Sequence, residues 1–161
     1  MIAPNMATML CVMLTDAGLE VTQADAMLRE AVSKSFNCIS VEGHTSTSDT
    51  VLLLANGASG VKISTPGEAA VFQKLLTEVA EDLATAIIND AEGATHIITI
   101  DVTGLRTRGE AFQIAKCVAD SPLVKTAIHG ADPNWGRIVS AAGYSGVDLQ
   151  EENISLWLNG D

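Results

Sequence analysis

This sequence predicts an α/β domain of the layered α+β kind, and three observations carry that expectation. Short apolar runs of strand length alternate along the chain with longer stretches whose apolar residues recur at helical spacing. Two of those stretches open on near-complete capping signals. The composition is 47% apolar and 18% charged, which is globular, and only 4% aromatic, so the core must be aliphatic and alanine-rich. Interleaved strands and amphipathic helices bury their apolar faces by packing helices on a sheet. At 161 residues, without an internal repeat or a low-complexity linker, the chain is expected to form a single domain over 1–161.

Met9–Leu14 is a mostly apolar run that suits a buried strand, broken by Thr15-Asp16-Ala17-Gly18. Thr22, with Asp25 three residues on, resembles a capping box, and Met27, Leu28, Ala31, Val32 and Phe36 follow at helical spacing. Ile39–Val41 and Val51–Ala55 are expected strands on either side of the polar stretch Glu42–Asp49. Asn56, Gly57 and Gly60 mark a turn. The clearest element begins at Thr65-Pro66-Gly67-Glu68: Thr65 caps, Pro66 fits the first helical position, and Glu68 closes the box. Phe72, Leu75, Leu76, Val79, Leu83, Ile87 and Ile88 make its apolar stripe. Ile98, Ile100 and Val102 alternate with polar residues as a half-buried strand would. Thr107-Arg108-Gly109-Glu110 repeats the capping logic, with Pro122 past the end of that helix. Val124, Thr126 and Ile128 alternate as another strand. Asp132-Pro133 opens a helix carrying Trp135, Ile138, Val139 and Ala142 that stops at Gly143, and Ile154, Leu156 and Leu158 suggest a last strand.

Charge and hydropathy exclude several classes. Asp plus Glu total 20 against 9 Lys plus Arg, a net charge of -11, the wrong sign for nucleic acid or an anionic membrane surface. The longest apolar runs, Met9–Leu14 and Val51–Ala55, fall far short of the ~18 residues of a membrane span. The first basic residue is Arg29, so a secretory signal is not expected. Cys11, Cys38 and Cys117 are scattered, odd in number and without a C-x-x-C, which suits free thiols in a reducing cytoplasm rather than disulfides or zinc.

The candidate chemistry is thin on general grounds. His44, His96 and His129 lack metal-ligand spacing, and no metal site is expected. Asn56-Gly57-Ala58-Ser59-Gly60 is glycine-rich but opens no phosphate-type helix. The run Thr45-Ser46-Thr47-Ser48-Asp49-Thr50 can line a substrate site or form an ordinary Asx or Ser/Thr turn. Thr8 precedes a buried strand. A threonine hydroxyl is a poor nucleophile unless a base activates it, and cleavage of the backbone just before it would supply that base as a free α-amino group, with an ordinary pKa of ~7.7–8.0.

Four long segments, in order and over nearly the whole chain, carry a resemblance. They are Met1-Ile2-Ala3-Pro4-Asn5-Met6-Ala7-Thr8-Met9-Leu10; Asn37 through Gly57, with Val41-Glu42-Gly43-His44-Thr45-Ser46-Thr47-Ser48-Asp49-Thr50; Glu92-Gly93-Ala94-Thr95; and Ser121 through Ile138, with Gly130-Ala131-Asp132-Pro133-Asn134-Trp135-Gly136-Arg137. Together they resemble the ornithine acetyltransferases of arginine biosynthesis, also called glutamate N-acetyltransferases. The resemblance implies an α-β-β-α sandwich of the DmpA-type N-terminal-nucleophile fold. It also implies self-cleavage at Ala7–Thr8, with 1–7 ending an upstream chain and 8–161 starting the threonine-nucleophile chain.

Thr8 would then take an acetyl group from N-acetylornithine and pass it to glutamate through an acetyl-threonine ester. Neither a metal nor a bound cofactor is implied, and acetyl-CoA enters only as a further donor. Glu92 matches the family's substrate-binding glutamate, and a carboxylate there can hold the ammonium of ornithine. Thr8 and Glu92 are therefore the expected substrate-binding residues. The implied partners are these small molecules, the upstream chain of the same precursor and further processed chains in an oligomer.

His44 stands where an aspartate is common in the family, and His96 where a lysine is common. A substrate-binding lysine and the oxyanion-hole pair lie upstream of the first motif, so the chain is expected to be a central fragment of a longer enzyme. Asn134, Trp135 and Arg137 either face the pocket or fix a helix start, and a capped Asp-Pro start is sufficient reason for their pattern. A related N-terminal-nucleophile aminopeptidase and a non-catalytic assembly fragment are the competing expectations.

Overall fold

The computed structural model of the chain describes residues 9–40, 43 and 48–160. It divides into two compact units, the first of Met1–Ile39 and His44–Glu92, the second of Ser40–Gly43 and Gly93–Asp161. The mixed helix and strand content is that of an α/β fold.

In the first unit, strands β1 (Leu10–Thr15) and β2 (Thr50–Ala55) pair in parallel, Leu10 opposite Thr50 through Thr15 opposite Ala55. A parallel pair needs a crossover, which here includes helix α1 (Val21–Lys34) and a 3-10 turn at Phe36–Cys38. Helix α2 (Pro66–Asn89) follows β2. Strand alternation sorts the side chains. Cys11 and Met13 are buried with Met27 and Ala31 of α1 and Leu76, Ala80 and Ala84 of α2, and Val51 and Leu53 pack against the same cluster. Ala31 and Ala80 are wholly buried, so small side chains let the two helices approach closely. Gln73 Nε2 ties them with a 3.1 Å bond to the Met27 carbonyl. The opposite face of the sheet is bare: Leu10, Val12 and Leu14 are 72%, 53% and 77% exposed, and Leu52 and Leu54 are 45% and 53% exposed.

The local signals for α2 hold in full. Thr65 accepts from the Glu68 N–H, and the Glu68 carboxylate accepts from the Thr65 N–H at 2.9 Å. The expected start of α1 does not hold. Glu20 is its N-cap, without a side-chain bond, and Thr22 lies inside the first turn. Asp25 instead pairs with Arg29 one turn on, at 2.8 Å, a partner that competes with the capping geometry.

The second unit is built on helices α3 (Arg108–Asp120), α4 (Pro122–His129) and α5 (Trp135–Gly143). Val118, Val124 and Ala141 form its core, with Ile100, Ile128 and Ile138 against them. The Ser40 hydroxyl donates to Asp120, whose other oxygen lies 3.3 Å from Lys116 Nζ. Thr107 caps α3 as expected.

Three expected strands are corrected here, and a fourth at its described end, Ile39. Val124, Thr126 and Ile128 lie on α4, because the Ser121 hydroxyl accepts from the Val124 N–H and Pro122 sits in the first turn, so Pro122 starts a helix as well as following one. Ile98–Val102 and Ile154–Leu158 form no ladder among the described residues, and a 3-10 turn at Glu151–Asn153 precedes the latter. Alternation prepares a half-buried strand, but a strand also needs a neighbour to pair with. Ile39 is buried just past its 3-10 turn and is not in a strand, and Val41 lies outside the described residues. Helix α5 starts two residues later than Asp132-Pro133 suggested, with Asn134 as its cap.

No helix among the described residues is long and apolar enough to cross a membrane. Cys11, Cys38 and Cys117 are free thiols, and burial pushes the Cys11 thiol up from its ordinary value.

Candidate active site

Ala7 and Thr8, on which the expected chemistry centres, lie outside the described residues, as do His44 and Thr45–Thr47. The described chain begins one residue after Thr8, and that residue is held from both sides. The Met9 N–H donates to Asp49 Oδ1 at 3.0 Å. The Met9 carbonyl accepts from the Thr50 N–H at 2.8 Å. Parallel pairing places the heads of β1 and β2 side by side, so Met9, just ahead of β1, meets both Asp49, just ahead of β2, and Thr50, its first residue. Thr50 Oγ1 turns back to the Ser48 carbonyl at 3.2 Å, shaping the entry to β2. The fold thus joins two segments singled out in the sequence, the residue following Thr8 and the end of the hydroxyl-rich run. Reading residue by residue misses the role of Asp49, whose partner lies 40 positions away.

Glu92 stands elsewhere in the same unit, two residues beyond the Asp90 C-cap of α2, in a turn with Gly93 at φ +74°. That positive φ favours glycine over any residue with a Cβ. Glu92 is exposed, and no hydrogen bond or ion pair joins it to Met9, Asp49 or any other described residue. The last turn of α2 carries no basic residue, and Asp90 and Glu92 follow it. Carboxylates added to the negative end of a helix dipole make a spot suited to a cation.

The third and fourth motifs divide differently. Asn134 Oδ1 accepts from the Arg137 N–H at 3.2 Å, and Asn134 Nδ2 donates to Asp132 at 3.0 Å. Arg137 Nη1 donates to the Leu123 carbonyl at 2.9 Å and to Thr126 Oγ1 at 3.2 Å. Trp135 is 67% exposed at the first position of α5. These bonds fix the α4–α5 corner, in line with the reading of this segment as a helix start. His96 Nδ1 lies 2.9 Å from Thr95 Oγ1 and its ring meets that of His129 edge-on, centroids 6.3 Å apart. No cluster of His, Cys, Asp or Glu suited to a metal ion occurs among the described residues. Asn56–Gly60 is a turn, with Asn56 Oδ1 accepting from the Ala58 N–H at 2.9 Å.

An open groove of about 860 Å³ runs between α1 and β2, lined chiefly by apolar residues such as Leu28, Leu52 and Leu54. It contains neither Met9, Asp49 nor Glu92. Its polar lining, Thr15, Asp16, Asp25 and Asn56, includes none of the candidate site residues.

Comparison with known proteins shows which family the chain is similar to. The model of the ArgJ family matches residues 1–161. An arginine biosynthesis bifunctional protein ArgJ of Rhodopirellula baltica is 50% identical over 163 residues, covering 99% of this chain and 40% of that protein. A glutamate N-acetyltransferase of Methanocaldococcus jannaschii is 47% identical over 161 residues, again covering 99% and 40%. The crystal structure of the arginine biosynthesis bifunctional protein ArgJ from Bacillus halodurans matches with a TM-score of 0.84 at 44% identity, over 90% of this chain and 69% of that one. The chain spans about 40% of the length of the curated relatives it matches.

Proposed function

This chain belongs to the ArgJ family, and on that premise we propose that it is the part of a glutamate N-acetyltransferase that carries the nucleophile. The observation that carries the reading is the family match over all 161 residues, together with 47% identity to a protein named glutamate N-acetyltransferase. In the proposed reaction, water first adds across the Ala7–Thr8 peptide bond, leaving Thr8 with a free α-amine. The Thr8 hydroxyl then attacks the acetyl carbonyl of N-acetylornithine while its amine accepts the proton. The carbon–nitrogen bond breaks, ornithine leaves with that proton, and an acetyl-threonine ester remains. The amine of glutamate attacks the ester, N-acetylglutamate departs, and the Thr8 oxygen regains a proton. Acetyl-CoA is the second donor to test.

Two features of the described residues support the assignment. Met9 is fixed at the head of β1, so the residue before it has a defined neighbour. The acidic end of α2 at Glu92 suits the ammonium of ornithine. The bare face of the β1–β2 sheet supports a third part of the reading. Five exposed large aliphatic side chains on one small sheet call for a covering layer. We assign that role to the remainder of the longer family polypeptide, including the upstream chain. The three free cysteines suit a reducing compartment, which we take to be the cytoplasm.

Intact-mass spectrometry of the full-length polypeptide after incubation with N-acetylornithine tests the proposal. A break at Ala7–Thr8 with one acetyl group on Thr8 is the expected result, and Thr8→Ala removes both. Peptide hydrolysis without any need for glutamate would instead identify an aminopeptidase. An uncut, unmodified protein would refute the reading.

A further inference from the structure

We propose that Asp49 is the positioning residue for the Thr8 nucleophile, through its bond to the amide that links Thr8 to the rest of the chain. The inference rests on the reading of Thr8 given above and extends it to a residue outside that assignment. The Met9 N–H that Asp49 accepts at 3.0 Å belongs to the Thr8–Met9 peptide. Its nitrogen is bonded directly to the Thr8 carbonyl carbon. A peptide unit is planar, so holding its N–H fixes the plane in which that carbon lies. The Thr50 N–H holds the Met9 carbonyl at 2.8 Å, and the two bonds together fix both sides of Met9.

Cleavage at Ala7–Thr8 raises the importance of this clamp. Once Thr8 is a first residue its upstream tether is gone, and the Thr8–Met9 peptide is its sole covalent link. The Met9 end of that link is the part that Asp49 and Thr50 hold. Of the two bonds, that from Thr50 is made by backbone and any residue but proline can supply it. The bond to Asp49 depends on the side chain. Asp49 is exposed and joins no ion pair among the described residues, so core packing does not account for it.

Asp49→Ala and Asp49→Asn, made in the full-length polypeptide, test the proposal by cleavage rate, kcat, KM and melting temperature. Alanine removes the acceptor. Asparagine keeps an oxygen in the same place. Asp49→Ala is expected to slow both self-cleavage and kcat by about 10- to 100-fold, with KM for N-acetylornithine within about twofold of native. Asp49→Asn is expected to stay within about threefold of native in all three. An Asp49→Ala protein with native cleavage and kcat would overturn the proposal. So would a loss that follows the folded fraction, with unchanged turnover per folded molecule. A native protein that neither cuts itself nor takes up acetyl would overturn the Thr8 reading first and this inference with it, and it is told apart because the failure appears before any substitution.

Discussion

Arg137 closes α5 onto the first turn of α4 by donating to the Leu123 carbonyl at 2.9 Å. The same nitrogen reaches Thr126 Oγ1, which itself donates to the Leu123 carbonyl at 3.0 Å, so three groups share one corner. An arginine in a motif-rich segment thus serves as a brace. Arg137→Met is expected to lower stability by about 1 kcal/mol, the value of a partly exposed charged hydrogen bond. Urea unfolding measures this. A fall of more than about tenfold in kcat at unchanged stability would return Arg137 to the chemistry.

Ala131 holds φ at +53°, a conformation that glycine adopts without strain. The cause lies in the end of α4. The Asp132 N–H reaches the Ala127 carbonyl at 2.9 Å and the Ala131 N–H reaches the Ile128 carbonyl at 3.0 Å, the paired bonds of a Schellman ending with alanine in the left-handed position. Ala131→Gly is expected to raise stability by about 0.5–1 kcal/mol. The neighbouring Gly130, at φ -83°, needs no left-handed conformation, and a Cβ there would stand 3.3 Å from the Thr126 carbonyl oxygen, so Gly130→Ala is not expected to match that gain. Thermal melts of the two variants should show the larger rise for Ala131→Gly.

The capping box of α2 gives a prediction in pH. Backbone N–H groups of Thr65 and Ser64 hold the Glu68 carboxyl below its ordinary 4.5. A carboxyl lowered in the folded state stabilises the fold above its unfolded value, and that contribution is lost as pH falls through the lower folded value. Thr65→Ala is expected to cost about 1 kcal/mol at neutral pH. Glu68→Gln is expected to remove the box's share of the acid-side decline, seen as a flatter plot of stability against pH below 4.5.

Glu92→Gln tests the proposed ammonium site at the end of α2. Replacing its carboxylate by an amide removes the charge offered to an ammonium at the end of α2. Glu92→Gln is expected to raise KM for N-acetylornithine by about 10- to 100-fold, the scale of one charge-assisted hydrogen bond. Cleavage at Ala7–Thr8 should proceed at the native rate. Steady-state kinetics beside a mass-spectrometric time course decides it, and an equal loss in both would place Glu92 in the folding of the site.

Features written within a few residues were legible in the sequence. Thr65, Pro66 and Glu68 announce α2 because all the groups that satisfy its first turn are local. Cys11 and Met13 alternate with exposed neighbours because one sheet face is covered. Val124, Thr126 and Ile128 misled because three residues fit a period of two nearly as well as one helix face, and the Ser121-Pro122 start decides between them. Ile98–Val102 misled because pairing is a property of two segments, and no partner stands among the described residues. In the site, only a motif resemblance points to Thr8, since an isolated threonine shows nothing of its chemistry. Asp49 was visible as part of a polar run, but its task depends on strand register, which no local window contains.

The 40 positions between Met9 and Asp49 also set a clock. Synthesis delivers about 5–20 residues per second, so Met9 leaves the ribosome seconds before its partner exists. Pairing then waits on closure of the α1 crossover, a non-local step of the kind that slows folding. A nascent chain therefore cannot assemble this clamp early, whatever its local propensities. If Asp49 sets the geometry for cleavage, the cut at Ala7–Thr8 certifies a finished β1–α1–β2 unit, and a misfolded chain would betray itself by staying whole.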